Sequence, residues 1–502
     1  MSSISARVLK GSFWVTLTRL FTNGLAVLST FILAWNLSPA DFGLVAIGTT
    51  VLVILTSVTE FSLSQALVRH EAPDETHLSA AWTLNALRGA VLCLLVCGAA
   101  WPVAAFFADA RLKGIMFALG ACLFIGGLAN PKLAMAQRSL EYWQYFTVST
   151  GEKLVGFAVA VAVAVIYKSY WALVVGSFAT QLANVALSYA VMPFRPRILF
   201  RYFREFFGFS GWLMGSQFLS TINYNVDQLI VGAALGKAEL GAYNVGGKLA
   251  QLPSREALAP LTQPLFPAFS LFSRTPDRLS AAYQRAQTLV TFGALPVSLG
   301  VALFAAPLVS LLLGAQWKSA IPVVQLVAFS TAFETLGSLV GPLAMATGRT
   351  NIFFARNLQK LVIRIPMILI GLLAGGLTGL LWGRMLSGLV TVFVDLRFVA
   401  RILEQTVWQQ IALNSRSLVA SIVMIIAALG LDKARPSIPL FGNDLAFLLI
   451  AGGSSAMIYF LASFGLYWAR GCPSGAEKET MVLAGKAWNA LALRRRNIEV
   501  AE

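Results

Sequence analysis

The chain has 502 residues, 57% of them hydrophobic and only 12% charged, with a mean hydropathy of +0.73 and a net charge of +16. A soluble globular domain carries about 25% charged residues, so the composition excludes a soluble fold. Apolar windows of about 20 residues or more recur from end to end, which excludes a β-barrel built from alternating runs of about ten. What remains is an all-α polytopic membrane protein.

Hydropathy and turn punctuation predict fourteen spans, at 11–37, 41–68, 79–107, 114–137, 146–167, 171–193, 206–235, 240–272, 285–313, 319–347, 352–374, 377–398, 408–431 and 440–469. In the first, Ser12, Thr16, Arg19 and Asn23 recur at helical spacing. It is too long for a cleavable signal and lacks a small-residue cleavage site, so it is expected to stay as a span. The turn "LSPADFG" at 37–43 leads into the second span, which contains Glu60, and His70 and His77 flank the polar loop after it. The third span carries Arg88, with Cys93 and Cys97 on one face, a pairing that reads as packing rather than a metal or redox site. Lys153 in the fifth span and Lys360 in the eleventh lie near enough to one membrane face to snorkel and are set aside.

The seventh span reads Gln217, Thr221, Tyr224 and Gln228 along one stripe, with Asn223 and Asp227 beside it. After a second turn, "LGKAELG" at 235–241, the eighth carries Asn244, Lys248, Gln251, Arg255 and Thr262 at nearly a 3.6 period, with four prolines that suit a hinge. Further along come Glu334 in the tenth span, Arg364 in the eleventh, and Arg384 and Asp395 in the twelfth. The tail has an apolar face around Met481, Leu483, Trp488 and Leu491 and a cationic end, suited to lying on a membrane surface.

The two turns are near copies at an offset of 198 residues, and Ser12 and Trp14 match Ser210 and Trp212 at the same offset. Further on, "LAMAQR" at 133–138 resembles "LAMATGR" at 343–349, and "EKLV" at 152–155 resembles "QKLV" at 359–362. The order and span positions of these matches predict a parallel repeat: six-span lobes at 1–200 and 201–405, an added hairpin at 406–470, and a tail at 471–502. Two like-oriented lobes around a central cavity form a transporter architecture.

Loop charge gives orientation. Clusters such as Arg195, Arg197, Arg201 and Arg204, or Arg494 to Arg496, fall on one side, while the alternate loops hold few bases. The positive-inside rule then places both termini in the cytoplasm, and accounts for the basic balance without nucleic acid. The cations inside spans predict a cavity for an anionic, hydroxylated substrate, because guanidinium groups match phosphate with a planar fork of donors. The competing reading is that these residues hold the bundle together through interhelical ion pairs and hydrogen bonds. There is no phosphate-loop motif, no metal-ligand spacing, no implied cofactor and no extramembrane domain large enough for catalysis. A transporter, not an enzyme, is expected.

The strings "ILAWNLSPADFGLVAIGTTVLVIL", "SLSQALVRHE", "YWALVVGSFATQL", "INYNVDQLIVGAALGKAELGAYNVGGKLAQLP" and "PLFPAFS" resemble Wzx-type polysaccharide flippases. Within these they are similar to the colanic-acid and succinoglycan exporter branch of the multidrug/oligosaccharidyl-lipid/polysaccharide superfamily. The resemblance covers most of residues 5–400 and is weak in the last two spans. It implies fourteen helices in two lobes in the bacterial inner membrane. It implies transfer of an undecaprenyl-diphosphate-linked oligosaccharide from the cytoplasmic to the periplasmic leaflet, by a monomer working beside a separate polymerase and co-polymerase. It points to Arg19, Lys248 and Arg255, with Arg88, as cations holding diphosphate and sugar. Asn23, Gln217, Asn223, Gln251, Arg364 and Arg384 complete the candidate lining. Coupling to an ion or proton gradient is implied, with Glu60, Asp227 and Glu334 as candidates. The alternatives are a cation-coupled multidrug exporter, which should keep an acid in its first-lobe cavity, a peptidoglycan-precursor flippase, and, least favoured, a membrane polysaccharide polymerase.

Overall fold

The computed structural model describes residues 2–59, 74–133, 135, 142–200, 211–262, 265–435, 443–471 and 475–482. These residues form helices joined by short connections, with no strand among them. The chain divides into two compact units, Met1–Val245 and Gly246–Glu502. Ten stretches of the described residues are long and apolar enough to cross a membrane, and the chain is a multi-pass membrane protein.

The first unit contains α1 (Ser2–Asn36), α2 (Pro39–Val58), α3 (Glu75–Phe106), α4 (Arg111–Gly127), α5 (Tyr142–Tyr167), α6 (Trp171–Val191), α7 (Gly211–Leu235) and the start of α8 (Lys237–Thr262). The first of the twin turns is a capping box: Asp41 N donates to Ser38 Oγ at 3.3 Å, Ser38 N donates to Asp41 Oδ2 at 3.0 Å, and Pro39 opens α2. The second turns through Gly236 at φ +87°. The two turns meet. A Cβ on Gly43 would lie 1.8 Å from Lys237 O, and one on Gly241 would lie 1.7 Å from Pro39 O. Residues 39 and 237, and 43 and 241, share the repeat offset, so the contact is reciprocal, and its backbone-to-backbone approach requires glycine on both sides.

A second tie holds the same end. Asp109, in the α3–α4 connection, accepts from Arg111 Nε at 3.1 Å and Nη2 at 2.9 Å, and from Lys237 Nζ. The Arg111 hydrogen bonds, reinforced by Lys237, hold the Asp109 carboxyl well below the usual carboxylate range. At the other end of α3, Asp74 caps the helix, accepting from Thr76 N at 3.0 Å and His77 N at 2.9 Å. His77, expected in a loop, is therefore a first-turn helix residue.

The second unit continues with α9 (Leu265–Phe272), α10 (Pro276–Leu303), α11 (Ala305–Leu312), α12 (Ala320–Glu334), α13 (Val340–Ala346), α14 (Thr350–Leu403), α15 (Val407–Leu413) and α16 (Ser415–Ala434). It ends with α17 (Asp444–Phe447), which runs through a π turn at Leu448–Gly452 into α18 (Gly453–Ala469). α14 is two antiparallel arms: the backbone leaves helical geometry at Gly375 and Gly376, and Gly371 on one arm packs on the backbone of Gly379 on the other. These arms correspond to the predicted spans 352–374 and 377–398. Of the other predicted spans, α4 is short at 17 residues, and the polar residues of α7 and α8 dilute their hydropathy, so none of the three is among the ten.

α10 is the spine of this unit. It contributes Leu279, Tyr283 and Val290 to one core cluster and Phe292 to another with Ala420, Met424 and Tyr459. Tyr459 Oη donates to Phe292 O at 3.0 Å, tying the last two spans to α10. The described part of the tail belongs to this packing: Ala476 is buried, and Glu477 pairs with Arg416 at 3.0 Å and accepts from Ser463 Oγ at 3.0 Å. The proposed surface face from Leu483 onward lies outside the described residues.

Candidate functional site

In the first unit the site begins with a close crossing of α5 and α6. A Cβ on Gly156 would meet Thr180 Oγ1 at 1.9 Å, so only glycine lets the two helices approach this far. One turn from each of these residues, the approach brings Asn184 to Glu152, and Asn184 Nδ2 donates to Glu152 Oε2. α1 packs on the other side of α5, with Trp14 and Phe146 rings 5.0 Å apart.

Between α1 and α5 lies a cavity of about 390 Å³. Val15, Thr18, Arg19 and Thr22 line it from α1, and Tyr142, Tyr145, Ser149, Glu152 and Lys153 from α5. Glu152 stands ten residues along α5 from Tyr142, about 15 Å at the helical rise of ~1.5 Å per residue. α5 is long and apolar enough to cross a membrane, so Glu152 lies within a spanning helix. Ionisable groups within a spanning helix are costly and mark a pathway or partner site. Among the described residues Arg19 and Lys153 supply two cations to one carboxylate, and the threonine, serine and tyrosine hydroxyls add donors and acceptors. Such a lining can hold an anion together with attached hydroxyl groups.

Arg19 lines this cavity from α1; Asn23 follows one turn later on α1 and is half-buried. Lys153, set aside as a snorkelling residue, is exposed and also lines the cavity. Glu152, Asn184 and the two tyrosines were not singled out by the sequence reading. The available signal was the internal match itself, in which Glu152–Lys153 stands opposite Gln359–Lys360.

Other predicted residues bind helices to one another. Arg88 donates to Thr59 Oγ1 at 3.3 Å and Thr56 O at 3.5 Å, at the end of α2. Asp227 is buried and accepts from Tyr243 Oη at 2.8 Å. Gln228 accepts from Thr50 at 3.1 Å and Asn244 at 2.8 Å, joining α2, α7 and α8. Asn223 is buried and donates to Leu219 O at 3.0 Å, while Gln217 is exposed on the same helix. On α8, Lys248 and Arg255 are exposed two turns apart, and Arg255 Nη2 donates to Gln251 Oε1 at 2.8 Å between them. Arg364 and Arg384 are half-buried on the two arms of α14. Glu334 accepts from Ser330 Oγ at 3.0 Å. Glu60 lies outside the described residues.

Residues 32–322, more than half of the chain, match the family model described as polysaccharide biosynthesis protein. The chain belongs to that family. Among its relatives is the lipopolysaccharide biosynthesis protein WzxC of Escherichia coli (strain K12), 23% identical over 401 residues, covering 78% of this chain and 81% of the relative. Another is the succinoglycan biosynthesis transport protein ExoT of Rhizobium meliloti (strain 1021), 27% identical over 422 residues and covering 82% and 84%. Among solved structures, the lipid II flippase MurJ in an inward closed conformation aligns with a TM-score of 0.71 at 13% identity, covering 90% of this chain and 98% of that one. At that identity the likeness is one of fold. This member of the polysaccharide biosynthesis family thus has a transporter-type helical fold.

Proposed function

We propose that this protein carries an undecaprenyl-diphosphate-linked oligosaccharide from the cytoplasmic to the periplasmic leaflet of a bacterial inner membrane, for assembly into exopolysaccharide by a separate polymerase and co-polymerase. The observation that carries the reading is the cavity between two spanning helices, with Arg19 and Lys153 facing it and hydroxyls around them. A diphosphate requires donors of this kind, and the sugars beyond it require hydrogen-bonding partners. Transport is by alternating access: lobes 1–200 and 201–405 rock about the bound headgroup, both termini staying in the cytoplasm. Lys248, Gln251 and Arg255 are the second lobe's contribution to the path. No chemical step on the substrate is involved, so the protein works as a transporter and not an enzyme.

Glu152 gives the multidrug-exporter alternative a specific observation, since an acid does stand in the first-lobe cavity. Among the described residues the same cavity holds two cations against that one carboxylate, and their net positive charge repels a cationic drug. The anionic substrate is the better fit.

The test is complementation of a deletion strain with wild type and Arg19→Ala at matched membrane levels. Surface polysaccharide and lipid-linked oligosaccharide on the cytoplasmic side are the readouts. Loss of surface polymer with accumulation of the lipid-linked precursor supports the reading; unchanged export by a deletion strain contradicts it.

A further inference from the structure

The charges of the α1–α5 cavity do not balance once the proposed ligand is in place. Arg19 and Lys153 can neutralise the two negative charges of a diphosphate diester, and Glu152 then stands beside it as a third, uncompensated anion. Between spanning helices a like-charge neighbour favours the neutral acid. Glu152 cannot readily move away. Asn184 holds its Oε2, and the Gly156–Thr180 crossing fixes the two helices that carry the pair. Among the described residues, the other titratable groups facing the cavity are Arg19 from α1 and Tyr142, Tyr145 and Lys153 from α5; α6 contributes the neutral Asn184.

We propose that Glu152 is the proton-accepting group of this site: it takes up one proton as a diphosphate anion enters between Arg19 and Lys153, and returns it when the anion leaves. The proposal rests on the reading of the cavity as a diphosphate site. The step is a proton transfer alone: solvent donates H⁺ to the Glu152 carboxylate, an O–H bond forms, and no group is oxidised or reduced. Asn184 is a positioning residue, keeping the carboxyl aimed along the cavity in both states. The ionised acid serves the empty site, where it partly offsets two cations in a low-dielectric surrounding. Its neutral form serves the loaded site, where its hydroxyl becomes a donor to phosphate or sugar oxygen. Affinity for the diphosphate is thereby linked to pH at a single residue.

The experiment uses the full chain in nanodiscs, with a monosaccharide-linked undecaprenyl diphosphate, a diester of two fixed charges, as the probe. Calorimetry in buffers of different ionisation enthalpy gives the number of protons taken up on binding, for wild type and Glu152→Gln. The wild type is expected to take up about one proton more than the variant, and the variant's affinity is expected to exceed the wild type's most at high pH. Equal proton numbers in two proteins that both bind would overturn the proposal. Infrared difference spectra of the wild type alone provide a readout independent of how well the variant folds. Addition of the probe must produce a protonated-carboxyl C=O band, and its absence at saturating probe overturns the proposal equally. Failure of the wild type to bind the probe at all would instead remove the diphosphate reading on which the proposal stands, and the proposal with it.

Discussion

One position of the repeat is used in two ways. In the fifth span Glu152–Lys153 lies on a cavity, with Arg19 on the opposing helix. In the eleventh, the matching Gln359–Lys360 faces a buried charge cluster: Asp395 accepts from Lys360 Nζ at 2.8 Å and from Arg356 Nε at 2.6 Å and Nη2 at 2.9 Å. Asp395 is 3% exposed and packs on Gly337, so both cations are held directly by a buried carboxylate with no open space beside it. The aligned lysine is thus a strut in one unit and part of a cavity in the other. A cation in a membrane span acquires its meaning from whether its neighbours satisfy it, which hydropathy does not report.

The sharpest way to break this contrast is to disturb the strut. Asp395→Asn leaves Arg356 and Lys360 without their carboxylate and is expected to cost about 3–5 kcal/mol of stability, seen as a lower melting temperature and reduced membrane levels. Retained stability would mean the cluster is not structural. Next is the meeting of the twin turns. Gly43→Ala places a methyl 1.8 Å from Lys237 O, which should force the backbones apart at a cost of about 1–3 kcal/mol. Gly24→Ala, in open space on α1, is the control and should stay within ~0.5 kcal/mol of wild type.

A smaller effect is expected at Asp109, where Arg111 is half exposed. Asp109→Asn should cost a few tenths to about 1 kcal/mol. The folded Asp109 carboxyl titrates below its ordinary value of 3.8 because Arg111 and Lys237 favour the charged form. Its contribution is therefore fully present above that value and is lost only as pH falls through the lower folded one. The melting difference between wild type and Asp109→Asn should be constant between about pH 8 and pH 5 and should shrink only in stronger acid. A difference that vanishes already near neutrality would assign the tie to another group.

The helical architecture was legible because apolar runs of membrane-crossing length are long and uninterrupted. The kinship of the two turns was also legible, since capping and glycine requirements are written into "LSPADFG" and "LGKAELG". That the two turns touch each other was not, because an internal match specifies equivalence and not contact. Arg19 could be found from its cost in a span. Glu152 and Lys153 could not be ranked, because their depth and the helix they face depend on how closely α5 approaches α6, which Gly156 sets through tertiary packing. Asp227 and Asn223 show the converse: polar residues with a promising spacing that are occupied in bonds within and between helices.

The most direct measurement compares Lys153→Ala with Lys360→Ala, two truncations at matched repeat positions, for melting temperature and for trapped lipid-linked precursor in complemented cells. Lys153→Ala is expected to melt within ~0.5 kcal/mol of wild type and to accumulate precursor, while Lys360→Ala is expected to lose stability. Normal export by Lys153→Ala, or a loss of stability as large as that of Lys360→Ala, would contradict the division between a cavity in the first unit and a strut in the second.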